Sequence, residues 1–271
     1  MADRVKVSVA GGVADVRLNR PDKLNALDGH LMAGLAEAGA SLAGDPSVRA
    51  VVLSGEGRSF CAGLDLASFQ AMAGDASQVL GGEGAPNIAG TSGRITHLGQ
   101  QAAWTWRELE VPVIGAIHGN CLGGGLQIAL GTDIRIVAPD AKLSVLEMRW
   151  GLIPDMTGTW ILPRLVGYQQ ALELTATGRM VSGTESVEIG LCSKVADDPL
   201  AAALELAADI AAKSPVAVRH AKRLLLESMG GRSVADQFAD ERKTMASLIG
   251  SPNNVEAVTA YFEKRAPVFP D

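Results

Sequence analysis

Val111 to Asp133, VPVIGAIHGNCLGGGLQIALGTD, joins a short apolar run to three consecutive glycines and then to a second apolar run. Val113 to Ile117 is short and Val/Ile-rich, which predicts a buried strand, and Leu126 to Leu130 predicts a buried helix after it. Gly123, Gly124 and Gly125 at the junction let backbone approach a ligand and tolerate positive φ. The first N–H groups of the following helix lack carbonyl partners and carry the positive end of its dipole. Such a junction could bind a phosphate or stabilise an oxyanion that develops during a reaction. The same glycines would also serve tight helix–sheet packing alone. No Lys-Ser or Lys-Thr follows them, so a P-loop is not expected.

A second junction has the same character. Ala50 to Leu53 predicts another buried strand, followed by the turn Ser54-Gly55-Glu56-Gly57 and then by SFCAGLDL over 59–66. Together with NRPDKLNAL over 19–27, the segments SFCAGLDL and HGNCLGGG resemble the crotonase family, the enoyl-CoA hydratases and isomerases. The resemblance runs in matching order from NRPDKLNAL to the C-terminal YFEKR over 261–265.

The resemblance implies a specific chemistry. A thioester carbonyl would sit between two backbone N–H donors, those of Leu64 and Gly124, which stabilise the enolate oxygen formed when a proton leaves or joins the adjacent carbon. Losing one such donor typically costs ~3 kcal/mol of transition-state stabilisation. Three side chains would face that oxygen: Gln127, Glu147 and Asp155. Hydratases of this kind carry glutamates at the positions of Gln127 and Glu147, so one carboxylate is present and one is missing. A neutral Gln orients water but cannot take its proton. Moving a double bond from the 3,4 to the 2,3 position needs only one carboxylate, which favours an isomerase.

Asp155 complicates that choice. In dienoyl-CoA isomerases that EMRWGLIPD resembles, an acid here works with the glutamate, but those enzymes also have an acid in place of Gln127. In aryl-CoA dehalogenases an Asp here is the nucleophile, but a Trp stands in place of Glu147. Asp155 could equally cap the helix expected to begin near Thr157. Glu147 could be a surface carboxylate after the strand expected over Lys142 to Leu146. Its apolar neighbours Leu146, Met148, Trp150 and Ile153 would instead make it buried, with a raised pKa. Three readings stay open: an isomerase using Glu147; a hydratase in which Gln127 positions water; and a hydrolase with Asp155 as nucleophile or a non-catalytic acyl-CoA binder.

By the same resemblance coenzyme A enters as part of the substrate, and no redox carrier or metal is required. Ala62, Leu64, Asp65 and Leu66 would lie along it, Lys23 and Arg20 could meet its phosphates, and Tyr261 and Lys264 would reach coenzyme A bound to a neighbouring subunit. Without the resemblance, the basic residues read as solvated and YFEKR as a polar helix end.

The remaining sequence is consistent with an enzyme of this kind. A chain of 271 residues with 47% hydrophobic content can bury a substantial core. A net charge of −6 argues against a nucleic-acid partner. Cys61, Cys121 and Cys192 lack metal-ligand spacing and read as small core residues in a reducing compartment. The N-terminus shows no signal-peptide core, and no apolar run approaches the roughly 20 residues that span a bilayer. A cytoplasmic enzyme that does not bind membranes is expected.

The elements that must position these residues can also be read. Val5–Val9 and Ala14–Leu18 predict paired strands around Gly11-Gly12, and Asp28–Ala43 a helix. Residues 67–96, rich in Gly, Ala and Ser, read as a loop over the acyl pocket or a solvated insertion. His97, just beyond, reads as structural. Repeated strand, strand, helix units fit an α/β crotonase-like spiral over residues 1–195. Helices near 200–213, 215–229, 233–249 and 252–264 form a C-terminal helical region over 196–271. AVRHAKRLLLES places Val218, Ala221, Leu224 and Leu225 on one apolar face. In relatives such helices pack against other subunits, so a homotrimer or a dimer of trimers is expected.

Overall fold

Strand β2 (Val13–Leu18) buries every second residue, Ala14, Val16 and Leu18, as a strand with one covered face must. It pairs antiparallel with β1 (Val5–Ala10) around the Gly11-Gly12 turn and parallel with β3 (Ala50–Gly55). In this computed structural model, which describes residues 4–65, 91 and 94–270, β3 pairs in turn with β4 (Val113–Ile117), which is followed by β5 (Asn120–Leu122). The later strands are β6 (Ile134–Val137), β7 (Lys142–Ser144), β8 (Val181–Ser182) and β9 (Lys194–Val195). A six-stranded sheet runs in the order β1-β2-β3-β4-β6-β9, parallel except at β1, and β5-β7-β8 form a smaller second sheet.

Strands β3 and β4 are buried throughout, as parallel strands covered on both faces are. Their alternate residues serve two different cores. Val51, Leu53, Val113 and Ile117 face a layer made by helices α1 (Gly29–Leu42), α2 (Leu98–Glu108) and α3 (Gly124–Gly131). Ala50, Val52, Ile114 and Ala116 face Ala203 and Ala207 on the opposite side.

The chain continues through α4 (Gly158–Val166), α5 (Tyr168–Thr177) and α6 (Gly183–Glu188), which complete the strand, strand, helix repeat. Four helices end it: α7 (Pro199–Ala211), α8 (Pro215–Ser228), α9 (Val234–Leu248) and α10 (Pro252–Glu263). Helix α7 carries Ala203 and Ala207 onto the sheet.

Helix α8 departs from its predicted face. Ala221 and Leu225 are exposed in the chain, and Pro215 and Lys222 are the buried positions. Lys222 is drawn inward because its ammonium pairs with Asp133 at 2.8 Å and donates to the carbonyls of Val111 and Trp106. The Trp106 carbonyl lies in the last turn of α2, where the helix dipole favours a cation.

All three cysteines are buried and free, as expected of core residues, and burial pushes the Cys61 thiol up to about 12. Among the described residues no helix is long and apolar enough to cross a membrane.

Candidate active site

Two chain crossings meet beside the N-terminus of α3. Residues 60–62 run along 118–122 like an extra strand: Phe60 N–H donates to His118, Cys61 N–H to Asn120, and Leu122 N–H back to Cys61. Cys61 and Cys121 form a parallel bridge there. Gly63 then lies against Leu122, where a Cβ would come within 2.8 Å of the Leu122 carbonyl oxygen. Leu64 is held by a second bridge, in which Leu27 N–H donates to Gly63 and Asp65 N–H to Leu27. On the other crossing Gly123 turns the chain from β5 into α3 at φ 51 and ψ −124, a conformation open only to glycine. Leu64 N–H and Gly124 N–H meet no acceptor among the described residues.

Asn25 anchors this loop and was not singled out by its own chemistry in the sequence. Fully buried at φ 55, it donates to the carbonyls of Ser59 and Glu56 and accepts from Arg20 N–H. An Asn in NAL at a left-handed turn is the local signal that could have found it.

Glu147 sits in a 3₁₀ turn, Leu146–Trp150, that follows β7. The strand expected to reach Leu146 stops at Ser144. Its carboxylate lies over Gly123, where a Cβ would be 3.4 Å from Oε1. Gln127, buried in the second turn of α3, donates from Nε2 to Glu147 Oε1 at 2.6 Å and accepts at Oε1 from Gly158 N–H at 3.0 Å. Glu147 Oε2 is buried without a hydrogen-bond partner among the described residues. Burial pushes the Glu147 carboxyl above its ordinary value and nearby Asp155 adds to the rise, while hydrogen bonds from Gln127 and backbone oppose it. The expected apolar flanks do not supply that burial, since Met148, Trp150 and Ile153 are exposed. The tight turn throws them outward, and the carboxylate is covered by Gly123 and Gln127 instead.

Asp155 does not cap α4. The N-cap there is Thr157, with φ 76 and no side-chain capping bond, and the Asp155 side chain is 61% exposed. It faces His97 instead, with Asp155 Oδ2 3.9 Å from His97 Nε2. His97 is structural as expected: it caps α2 by accepting from Gly99 and Gln100 N–H, and Gln100 closes the capping box. Burial lowers the His97 pKa, against a raising influence from Asp155. Met156 joins these groups, since a Cβ at Gly124 would lie 3.0 Å from Met156 Sδ and one at Gly99 3.5 Å from Met156 Cγ.

The residues expected along coenzyme A are not all gathered. Ala62 and Leu64 lie at the junction, and the exposed Lys23 stands on the 3₁₀ turn Pro21–Lys23. Arg20 is turned inward rather than toward a phosphate: it binds Asp65 at 2.6 Å and the Ala26 carbonyl at 2.9 Å, which occupies the Asp65 carboxylate as well. Tyr261 and Lys264 are exposed at the end of α10. Leu66 and nearly all of the 67–96 loop lie outside the described residues. Among the described residues no group of three or more His, Cys, Asp or Glu side chains could hold a metal ion.

The parallel strands, the glycine junction and the Glu147–Gln127 pair are those of an α/β enzyme with a crotonase-like fold. The sequence pattern of the enoyl-CoA hydratase/isomerase family matches residues 8–271, and the chain belongs to that crotonase family. Its members act on acyl-CoA thioesters. A probable enoyl-CoA hydratase of Bacillus subtilis is 34% identical over 98% of both chains. The human mitochondrial Delta(3,5)-Delta(2,4)-dienoyl-CoA isomerase is 36% identical over 93% of this chain and 77% of its own. The crystal structure of a putative enoyl-CoA hydratase/isomerase from Mycobacterium abscessus superposes with a TM-score of 0.87 at 31% identity, covering 98% of this chain and 99% of that one.

Proposed function

We propose that this enzyme is an enoyl-CoA isomerase that moves a double bond from the 3,4 to the 2,3 position, with Glu147 as its acid–base group. The observation that carries the reading is the engagement of Gln127. Its amide donates to Glu147 and its carbonyl accepts from Gly158 N–H, so the side chain is committed to holding a carboxylate rather than activating water. Among the described residues Glu147 Oε2 is the buried carboxylate oxygen without a partner, the atom suited to take a proton.

In the proposed reaction the thioester carbonyl accepts from Leu64 and Gly124 N–H. Glu147 Oε2 removes a C2 proton, the negative charge spreads to the carbonyl oxygen, and the same carboxyl returns the proton to C4. Nothing is added and nothing leaves except that one proton. The burial that raises the Glu147 pKa makes it a stronger base than an exposed carboxylate and a competent acid on the return. Coenzyme A is the carrier on the substrate, and no redox cofactor or metal takes part.

A second reading, isomerisation of a longer conjugated thioester, is favoured by Asp155, whose charge Glu147 feels. The exposed apolar residues Leu225, Phe238, Met245, Ile249 and Val255 of the C-terminal helices support assembly as a homotrimer or a dimer of trimers.

Incubation with 2-enoyl-CoA and 3-enoyl-CoA in ¹⁸O-labelled water tests the assignment. An unchanged mass with a shifted double bond from the 3-enoyl substrate supports it. Gain of labelled water by the 2-enoyl substrate makes the enzyme a hydratase, and loss of the acyl group makes it a hydrolase.

A further inference from the structure

Gly124 opens α3 and carries one of the two proposed donors to the thioester oxygen. Two apolar side chains lie over it. A Cβ on Gly124 would stand 2.8 Å from Leu27 Cδ1, 3.0 Å from Met156 Sδ and 3.8 Å from Met156 Cε. One on Gly99, in the first turn of α2, would stand 3.5 Å from Met156 Cγ. Met156 therefore reaches from the start of one helix to the start of another, with its thioether beside Gly124. It leaves a turn in which Ile153 and Asp155 are exposed, yet Met156 itself is only 8% exposed and belongs to the main core cluster. The two side chains differ in how far they can yield. Leu27 N–H donates to the Gly63 carbonyl and the Leu27 carbonyl accepts from Asp65 N–H, so Leu27 is tied to the loop that carries Leu64. Met156 is unbranched, flexible and polarisable, the side-chain type that adapts to what is placed against it.

We propose that Met156 determines which acyl groups the enzyme accepts: its thioether closes the pocket beyond the thioester carbonyl, so short acyl-CoA thioesters are preferred. This rests on the placement of that carbonyl at Gly124 N–H, and it is the same for isomerisation and for hydration. An acyl chain that leaves a carbonyl held at Gly124 runs alongside the side chains packed on that residue. Its first carbons must stay beside Glu147, where the proton is exchanged, so only the later carbons meet Met156. Those carbons either take the place of Sδ and Cε or push them off Gly124 and Leu27. Filled space of this kind is not given up without cost, because the packing contacts of the displaced atoms are lost. The flexible thioether makes the limit graded, whereas a branched side chain tied through its backbone, such as Leu27, would make a wall.

The test uses the full chain as wild type, Met156→Ala and Met156→Leu, assayed on straight-chain 3-enoyl-CoA and 2-enoyl-CoA thioesters of about four to twelve carbons. In wild type kcat/KM is expected to fall steadily beyond the shortest members. Met156→Ala removes Cγ, Sδ and Cε, which should move the optimum up by about two carbons and raise the ratio of long-chain to short-chain kcat/KM about tenfold. Met156→Leu, a swap of similar volume, should keep the wild-type profile. A profile that Met156→Ala leaves unchanged, or lowers equally at every length, overturns the proposal and leaves Met156 a packing residue. Wild type that prefers the longest thioesters also overturns it. Should Met156→Ala not fold, the ¹³C-methyl resonance of Met156, assigned by its absence from Met156→Leu, is followed as saturated acyl-CoA thioesters are added to wild type. A shift that grows with chain length supports the contact, and one that is the same for acetyl-CoA and octanoyl-CoA overturns it. The Gly124 amide resonance tests the carbonyl placement separately: if it does not move with acetyl-CoA, that placement fails. Water addition without isomerisation removes the isomerase reading and leaves the length profile to be read on 2-enoyl-CoA. Wild type inert on both series removes the proposed reaction, and the Met156 resonance then decides alone.

Discussion

Gln127 donates to Glu147 at 2.6 Å from the second turn of the helix whose N-terminus carries Gly124. In the proposed mechanism the group that fixes the carboxylate and one backbone donor to the enolate oxygen therefore belong to the same helix.

Glu147→Gln is expected to lower isomerase turnover by roughly 10²- to 10⁴-fold, the range for loss of a general acid–base group. Steady-state assay on 3-enoyl-CoA checks it. Wild-type turnover should fall on acidification at a pH above the ordinary carboxylate range, because the raised pKa protonates the base early.

The same substitution should make the protein more stable at neutral pH. A carboxyl whose folded pKa is raised contributes stability below its unfolded pKa and loses it as pH rises through the folded value. The uncharged amide of the variant has no such loss, so its urea midpoint should gain on wild type as pH rises, with little or no advantage in acid. A constant difference across pH would mean that Glu147 is not desolvated.

Gln127→Ala leaves Gly158 N–H without its acceptor and Glu147 free to rotate. The expected cost is about 1–3 kcal/mol in stability from the unsatisfied donor and about tenfold in kcat from the loosened base. Gln127→Glu instead sets two carboxyls in contact, which must share a proton. Its pH–rate profile should shift its acidic limb upward, and water addition to 2-enoyl-CoA should become detectable by mass.

Two neighbouring glycines should differ sharply. A Cβ at Gly125 would lie 2.5 Å from the Cys61 carbonyl oxygen, which is fixed in the bridge to β5, so Gly125→Ala is expected to fold poorly. At Gly124 the neighbours are the ends of Leu27 and Met156, which can move. Gly124→Ala should fold with a loss of about 1–3 kcal/mol and lose activity through the displaced Met156. Thermal melts beside activity assays separate the two.

Lys222→Met removes the cation that holds α8 to the core and leaves the Asp133 carboxylate with the Val113 N–H but no counter-charge from Lys222. Breaking a buried pair on one side costs about 3–5 kcal/mol, measurable by urea denaturation. Lys222→Met with Asp133→Asn should recover part of that loss.

Much of the scaffold was legible because local signals agreed with the global fold. Val113–Ile117 and Ala50–Leu53 are continuous apolar runs, as strands covered on both faces require, and the helix expected over Asp28–Ala43 is α1, which Asp28 caps. The glycine triplet announced a close backbone approach, and the motif resemblance brought Gln127, Glu147 and Asp155 forward together. Lys222 was not legible, since a lysine on an amphipathic helix reads as solvated until Asp133 and two carbonyls are brought against it.

The sequence by itself determined the order of the elements, the glycine positions that only glycine can occupy, and the presence of one carboxylate where hydratases have two. Tertiary structure alone decided what those groups do to each other. It committed Gln127 to Glu147 and Gly158, turned Arg20 onto Asp65, and freed Asp155 from capping so that it faces His97. The physical reason is the range of the interactions. Strand, turn and cap preferences act within a few residues, whereas the pairing, desolvation and orientation of polar groups depend on partners that lie tens of residues apart until the chain is folded.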